Sequence, residues 1–185
     1  MPTATAQPRT ADRVPTPRRT TGARTVAAMA LEAAARYGAA PAQRFFRDGA
    51  WRTLSYAELG TAVTEIAGGL IAAGIRPGDR VAILANTRPE WTWADLGALC
   101  AGATVVPVYP TSSPEECEYI LSHSGTRAVL CEGRPDALPS SGLDLVVSFD
   151  GAEGPTPLAE LRRRGAELGA GAVRERAAAV TPGDL

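Results

Sequence analysis

Residues 75–91 read IRPGDRVAILANTRPEW, and residues 102–132 read GATVVPVYPTSSPEECEYILSHSGTRAVLCE. Short apolar runs alternate here with helix-start signals. Pro77-Gly78 suits the two central positions of a type II turn, since proline fixes the first φ and glycine accepts the positive second one. Arg80 to Ala85 (RVAILA) is an apolar run of the kind found in strands buried on both faces. Pro89 sits at the first position of a helix, with Glu90 beside its positive end. Trp91, Leu96 and Leu99 lie on that helix, which is expected to bury Trp91 and to stop near Gly102. Thr104 to Val108 reads as a second parallel strand. Ser113-Pro114-Glu115-Glu116 combines an N-cap, an N1 proline and a capping-box glutamate. Cys117, Ile120 and Leu121 face inward from the helix that follows, and Gly125 ends it. Arg127 to Cys131 is a third strand. Strand, helix, strand, helix, strand implies βαβ crossovers, so the fold class is α/β: a Rossmann-like parallel sheet with flanking helices.

Upstream, a helix is expected over Thr25 to Tyr37, with Val26, Met29, Ala30 and Ala33 as its apolar face. Arg44–Arg47 and Trp51–Leu54 predict a hairpin around Asp48-Gly49. Ser55 and Glu58 form a second capping box. Leu59, Val63, Ile66 and Leu70 recur at helical spacing behind it, and Gly74 is placed to end that helix. Downstream, Leu143 to Phe149 reads as a strand and Leu158 to Glu167 as a helix. From Ala170 onward the chain is polar and alanine-rich, and is expected to be a linker or a weakly held helix. Residues 1–24 are rich in Thr, Ala, Pro and Arg, and their prolines break any amphipathic helix. They read as a disordered tail ahead of a domain over residues 25–185.

Composition narrows the chemistry. The chain has 185 residues, 19 basic and 20 acidic, with a net charge of −1, which makes no electrostatic case for nucleic acid. Every Lys/Arg position is arginine. A GxxxxGK[ST] phosphate loop and a Schiff-base lysine are therefore ruled out. Three widely spaced cysteines, Cys100, Cys117 and Cys131, read as buried free thiols rather than metal ligands or disulfides, which fits a reducing, cytoplasmic setting. No apolar run reaches the ~18 residues of a transmembrane helix.

No GxGxxG follows a strand, so the dinucleotide fingerprint is missing. His123 reads as a helix-end histidine favoured by the negative dipole end. Glu115, Glu116 and Glu118 read as a solvated helix start. Tyr109-Pro110-Thr111-Ser112-Ser113 is the most informative loop. It leaves the carboxyl end of a parallel strand, where ligands of open α/β sheets bind, and it enters a helix N-terminus suited to a phosphate or polar group.

Taken together, WRTLSYAELG (residues 51–60), the two stretches quoted above and the Gly102–Val108 segment with its internal proline resemble the N-terminal portion of the AMP-forming acyl-CoA synthetases, most closely the long-chain fatty-acid type. The resemblance runs from about Pro41 to Leu185. It implies the N-terminal subdomain of the adenylate-forming synthetase fold and a parent reaction using fatty acid, ATP, Mg2+ and CoA. It places Tyr109, Pro110 and Thr111 along a CoA channel and makes Arg134 a contact for the CoA phosphate. It assigns no catalytic residue and no metal ligand to this chain, because the family's phosphate-binding loop and later catalytic elements have no counterpart among residues 1–185.

The chain alone is therefore expected to be inactive. The competing expectation is a non-catalytic Rossmann-like module that binds a partner, a complementary catalytic half, or CoA. Self-association through an uncovered edge or face is expected as well.

Overall fold

The computed structural model describes residues 22–133, 138, 142–151 and 153–184. The expected tail lies outside these residues up to position 21. Helix α1 spans Val26–Tyr37 behind a Thr25 N-cap, whose hydroxyl accepts from the Ala28 amide at 3.1 Å. Strands β1 (Pro41–Arg47) and β2 (Ala50–Ser55) form an antiparallel hairpin. Arg47 pairs directly with Ala50, and the two residues between them have positive φ (52° at Asp48, 73° at Gly49). That is the turn twist that matches paired strands, and Asp-Gly accepts it readily.

Helix α2 (Tyr56–Ala72) begins with the expected capping box. Then come β3 (Arg80–Leu84), α3 (Pro89–Cys100), β4 (Thr104–Val108), α4 (Pro114–Ser124) and β5 (Thr126–Cys131). The remainder is β6 (Leu145–Ser148), the short β7 (Thr156–Pro157), α5 (Leu158–Leu168) and α6 (Ala170–Ala178). Strands β3 to β7 form one parallel sheet in the order β4-β3-β5-β6-β7. Pro107, which has no N–H to give, lies on edge strand β4, where a proline is tolerated.

Alternate residues of each strand face two separate cores. Val81, Ile83, Ala128, Leu130 and Val147 pack under α1, α2, α3, α5 and α6. Ala82, Leu84, Val129 and Cys131 face the other way, onto Cys117 and Leu121 of α4. One face thus carries most of the helical cover and the other rests chiefly on α4.

Three sequence expectations are corrected in the helical layer. Val26 and Met29 of α1 are 47% and 43% exposed; of the expected face Ala30 does pack inward, in line with Ala27 and Leu31. In α3 it is Trp93, not Trp91, that is buried, beside Ala94 and Ala98, while Trp91 lies at the margin of the core. Trp93 satisfies its indole N–H by donating to Gln43 Oε1 at 2.8 Å. The third concerns α6, which is a packed helix with Val173 and Ala177 buried. Its Arg176 donates to the carbonyls of Ile75 (3.3 Å) and Ala101 (3.2 Å), just past the ends of α2 and α3. A cation at a helix carboxyl end is favoured, and here one guanidinium serves two ends.

Small residues explain why these inward faces escape a search for large apolar side chains. A Cβ on Gly60 would lie 2.4 Å from Ala34 Cβ, and one on Gly97 would lie 2.6 Å from Ile66 Cγ2. The tightest approach joins α2 to α5, where a Cβ on Gly165 would stand 1.7 Å from the Glu65 carbonyl oxygen.

All three cysteines are buried free thiols, as expected. Burial pushes the Cys100 and Cys131 thiols up to about 12, so almost no thiolate exists near neutral pH. A thiol-specific colorimetric reagent at pH 8 should therefore react slowly with the folded chain and promptly with all three cysteines after denaturation; rapid labelling of folded protein would contradict this burial.

Candidate functional site at the carboxyl edge of the sheet

The strand order creates a topological switch point. From β3 the chain crosses through α3 to β4 on one side, then through α4 to β5 on the other. In sheets of this order the crevice beyond the carboxyl ends of the strands at the switch is the usual ligand position. Register fixes which residues meet there. Leu84 is level with Val108 and with Cys131, and Cys131 is level with Ser148. Tyr109, Ala85 and Asn86, Glu132, and Phe149 and Asp150 therefore follow in a row along one edge.

An ion-pair cluster occupies this edge. Arg88, the N-cap residue of α3, donates from Nε to Glu90 Oε2 at 2.8 Å. It pairs through Nη1 with Glu132 Oε1 at 3.2 Å and through Nη2 with Asp150 Oδ1 at 2.9 Å. Its guanidinium carbon lies 5.6 Å from the centroid of the Phe149 ring. Glu90 also accepts from Arg47 Nη2 of the hairpin at 2.6 Å. Glu132 Oε2 accepts from the Asn86 amide at 3.1 Å and from Asn86 Nδ2 at 2.9 Å. Asp150 Oδ2 accepts from the Gly133 amide at 3.0 Å. A groove of about 610 Å³ opens beside the cluster, with Arg47, Asn86, Arg88 and Glu132 among its walls.

The electrostatics follow from this geometry. Burial raises the Glu90 carboxyl, but hydrogen bonds from Arg88 and Arg47 outweigh it and hold the group below the usual range. The Asn86 side chain and amide lower Glu132, and Arg88 lowers Asp150. Carboxylates with depressed folded pKa values stabilise the fold above their unfolded values of about 4. That contribution is lost as pH falls through the folded values. Asp95 runs the other way, because burial alone raises it, so its protonation relieves the fold. Melting temperature is therefore expected to stay level from pH 7 to about 5 and to fall below about pH 4. Glu90→Gln should blunt the acid-side fall, and an identical acid profile for that variant would exclude Glu90 as one of its sources.

The candidate residues read from sequence are placed unequally. Tyr109 is 79% exposed at the edge, and Pro110 and Thr111 beside it are exposed as well. The Ser112 amide closes a turn onto the Tyr109 carbonyl at 3.0 Å. The start of α4 is occupied by its own side chains: Glu116 Oε2 accepts from the Ser113 amide at 2.9 Å, and Ser113 Oγ accepts from the Glu116 amide at 3.2 Å. With Glu115 in the same turn, this helix start offers little to a phosphate. Arg134 lies outside the described residues; the chain leading to it is fixed as far as Gly133 by the bond to Asp150. Sequence reasoning missed Asn86, Arg88, Glu132 and Asp150. Their one local signal is a polar or charged residue just after an apolar strand, and only strand order shows that they converge.

Among the described residues no group of three or more His, Cys, Asp or Glu side chains is arranged to hold a metal ion. No helix among them is long and apolar enough to cross a membrane.

Comparison with known proteins gives a consistent picture. A family model described as AMP-binding enzyme matches residues 31–182. A long-chain-fatty-acid–CoA ligase of Mycobacterium bovis is 39% identical over 85 residues, covering 46% of this chain and 14% of that protein. A long-chain-fatty-acid–CoA ligase of Bos taurus is 37% identical over 97 residues, covering 52% and 13%. Among solved structures, a fatty acyl CoA synthetase of Mycobacterium tuberculosis overlays with a TM-score of 0.63 at 26% identity, covering 76% of this chain and 28% of that one. A benzoate CoA ligase from Burkholderia xenovorans gives 0.64 at 24% identity, covering 75% and 28%, a likeness of fold alone. The chain thus spans about 14% of the length of the first of these curated relatives.

Proposed function

Since this chain belongs to the AMP-binding enzyme family, we propose that residues 25–185 form part of the N-terminal subdomain of a cytoplasmic fatty-acyl-CoA synthetase. In the parent reaction a fatty-acid carboxylate attacks the α-phosphorus of ATP and pyrophosphate leaves. The CoA sulfur then attacks the acyl carbon and AMP leaves. The observation that carries this reading is the family match across residues 31–182.

The edge described above suits a supporting part in that reaction. Tyr109, Pro110 and Thr111 offer an exposed ring and backbone groups, which fit the uncharged pantetheine arm of CoA. Arg88 and Arg47 are already matched by Glu90, Glu132 and Asp150, so their charge is spent within the fold. Contact with the CoA phosphate falls to Arg134 in this reading, since a guanidinium forks well onto phosphate oxygens. Magnesium finds no ligand set among the described residues.

Adenylation needs cationic and backbone donors converging on the triphosphate as charge develops there. The chain has no lysine, and Arg47 and Arg88 at its candidate edge are paired. Residues 1–185 alone are thus expected to show no fatty-acid-dependent exchange of pyrophosphate into ATP. Exchange above a no-enzyme control would refute that inactivity. Isothermal calorimetry tests the CoA edge separately: binding at millimolar CoA that weakens in Tyr109→Ala supports it, and no heat from the unmutated chain rejects it.

A further inference from the structure

We propose that Arg88 is a positioning residue that sets Glu132 and Gly133, the first two residues after β5, at the switch-point crevice. Four elements converge on it. Glu90 belongs to the start of α3, Glu132 to the loop after β5, Asp150 to the segment after β6, and Arg47 of the hairpin reaches the same Glu90. A guanidinium has five donors in one rigid plane, and here they fan out to three carboxylates. The Arg88 side chain is only 18% exposed, so the cluster is partly sheltered from solvent screening.

The consequence for the crevice is geometric. Asp150 meets Arg88 through both oxygens and accepts from the Gly133 amide with Oδ2. Glu132 takes Arg88 on Oε1 and Asn86 on Oε2. The backbone at Glu132–Gly133 is thus tied to the loop after β3 and to the segment after β6 through groups that Arg88 itself orients. Without the fork, Glu132 and Asp150 repel each other and the Gly133 amide loses an oriented acceptor. A lysine restores the charge but not the fork, because an ammonium cannot address three separated carboxylates in one plane. Stability and loop position are therefore separable at this residue.

The part of this inference that concerns ligand binding rests on the CoA-edge reading above; the part that concerns the loop does not. The experiment is amide hydrogen exchange followed by NMR on the whole chain, with Arg88→Lys, Arg88→Gln and, as a direct cut of the Gly133 bond, Asp150→Ala. Exchange at Gly133 should rise about tenfold or more in both Arg88 variants, as in Asp150→Ala, while Val129 in the centre of β5 is unchanged in Arg88→Lys. Gly133 exchange that stays at the unmutated level in folded Arg88→Lys, while rising in Asp150→Ala, would overturn the inference. CoA titration is the second arm. If the unmutated chain binds CoA, Arg88→Lys should weaken it by about fivefold or more at near-unchanged melting temperature, and equal affinity would count against Arg88. If the unmutated chain binds no CoA, the CoA-edge reading falls and the exchange result alone decides the role of Arg88.

Discussion

Replacing Gly165 with valine should abolish cooperative unfolding or lower stability by more than the ~1–3 kcal/mol typical of an overpacked core. The reason is backbone contact. A Cβ at this position would lie 1.7 Å from the Glu65 carbonyl oxygen and 2.6 Å from the Gly69 amide nitrogen. Neither is the end of a flexible side chain, so α5 must move off α2 as a body. Gly68 and Gly69 supply the other half of the same contact, with Cβ positions 2.7 Å from the Gly165 carbonyl and 2.3 Å from the Leu161 carbonyl. Gly171, which lies within α6 with nothing inside 4 Å of its Cβ position, is the internal control. Gly171→Ala is expected to be neutral or stabilising by up to about 1 kcal/mol. Thermal melts of the two variants check both statements. A Gly165→Val chain that melts like its parent would mean that α2 and α5 do not meet as described.

Ile66→Ala should cost about 2–5 kcal/mol, since the side chain is fully buried and leaves a cavity between α2 and α3. The facing residue makes the test sharper. A Cβ on Gly97 would meet Ile66 Cγ2 at 2.6 Å and Ile66 Cβ at 2.9 Å. Gly97→Ala should therefore destabilise by itself, through overlap. Combined with Ile66→Ala, the added methyl loses its 2.6 Å overlap with Cγ2, and the 2.9 Å approach to Cβ, which alanine keeps, remains from that pair. Urea unfolding of both single variants and the double variant should show the double variant less destabilised than the sum of its parts. Strict additivity would place the two residues out of contact.

Local chemistry made much of the fold legible. Both capping boxes, at Ser55/Glu58 and Ser113/Glu116, lie where their spacing puts them, because each needs only four consecutive residues. The β4 bounds, Thr104–Val108, and the Asp48-Gly49 hairpin turn were readable for the same reason. What escaped depends on distant partners. The inward faces of α1, α3 and α6 are drawn in alanine and glycine, which carry little hydropathy and reveal themselves only when another helix comes close. Trp91 and Trp93 are two residues apart and equal in composition, and tertiary contact alone buries the second. The candidate edge was half legible. The Tyr109–Thr111 loop follows a recognisable strand, whereas the Arg88 cluster joins Arg88 to a partner 62 positions away and needs the strand order to be seen.

Arg176 has a consequence for how the chain comes to be folded during synthesis. The carbonyl of Ile75 waits 101 residues for its donor, and that of Ala101 waits 75. A ribosome making some 5–20 residues per second leaves those two helix ends exposed to solvent for seconds. The early helices and strands can assemble meanwhile, but the contacts that α6 makes over them close only when α6 emerges. Nascent chains arrested ahead of residue 170 should accordingly stay open to protease around Ile75 and Ala101, and become resistant once α6 has cleared the exit tunnel.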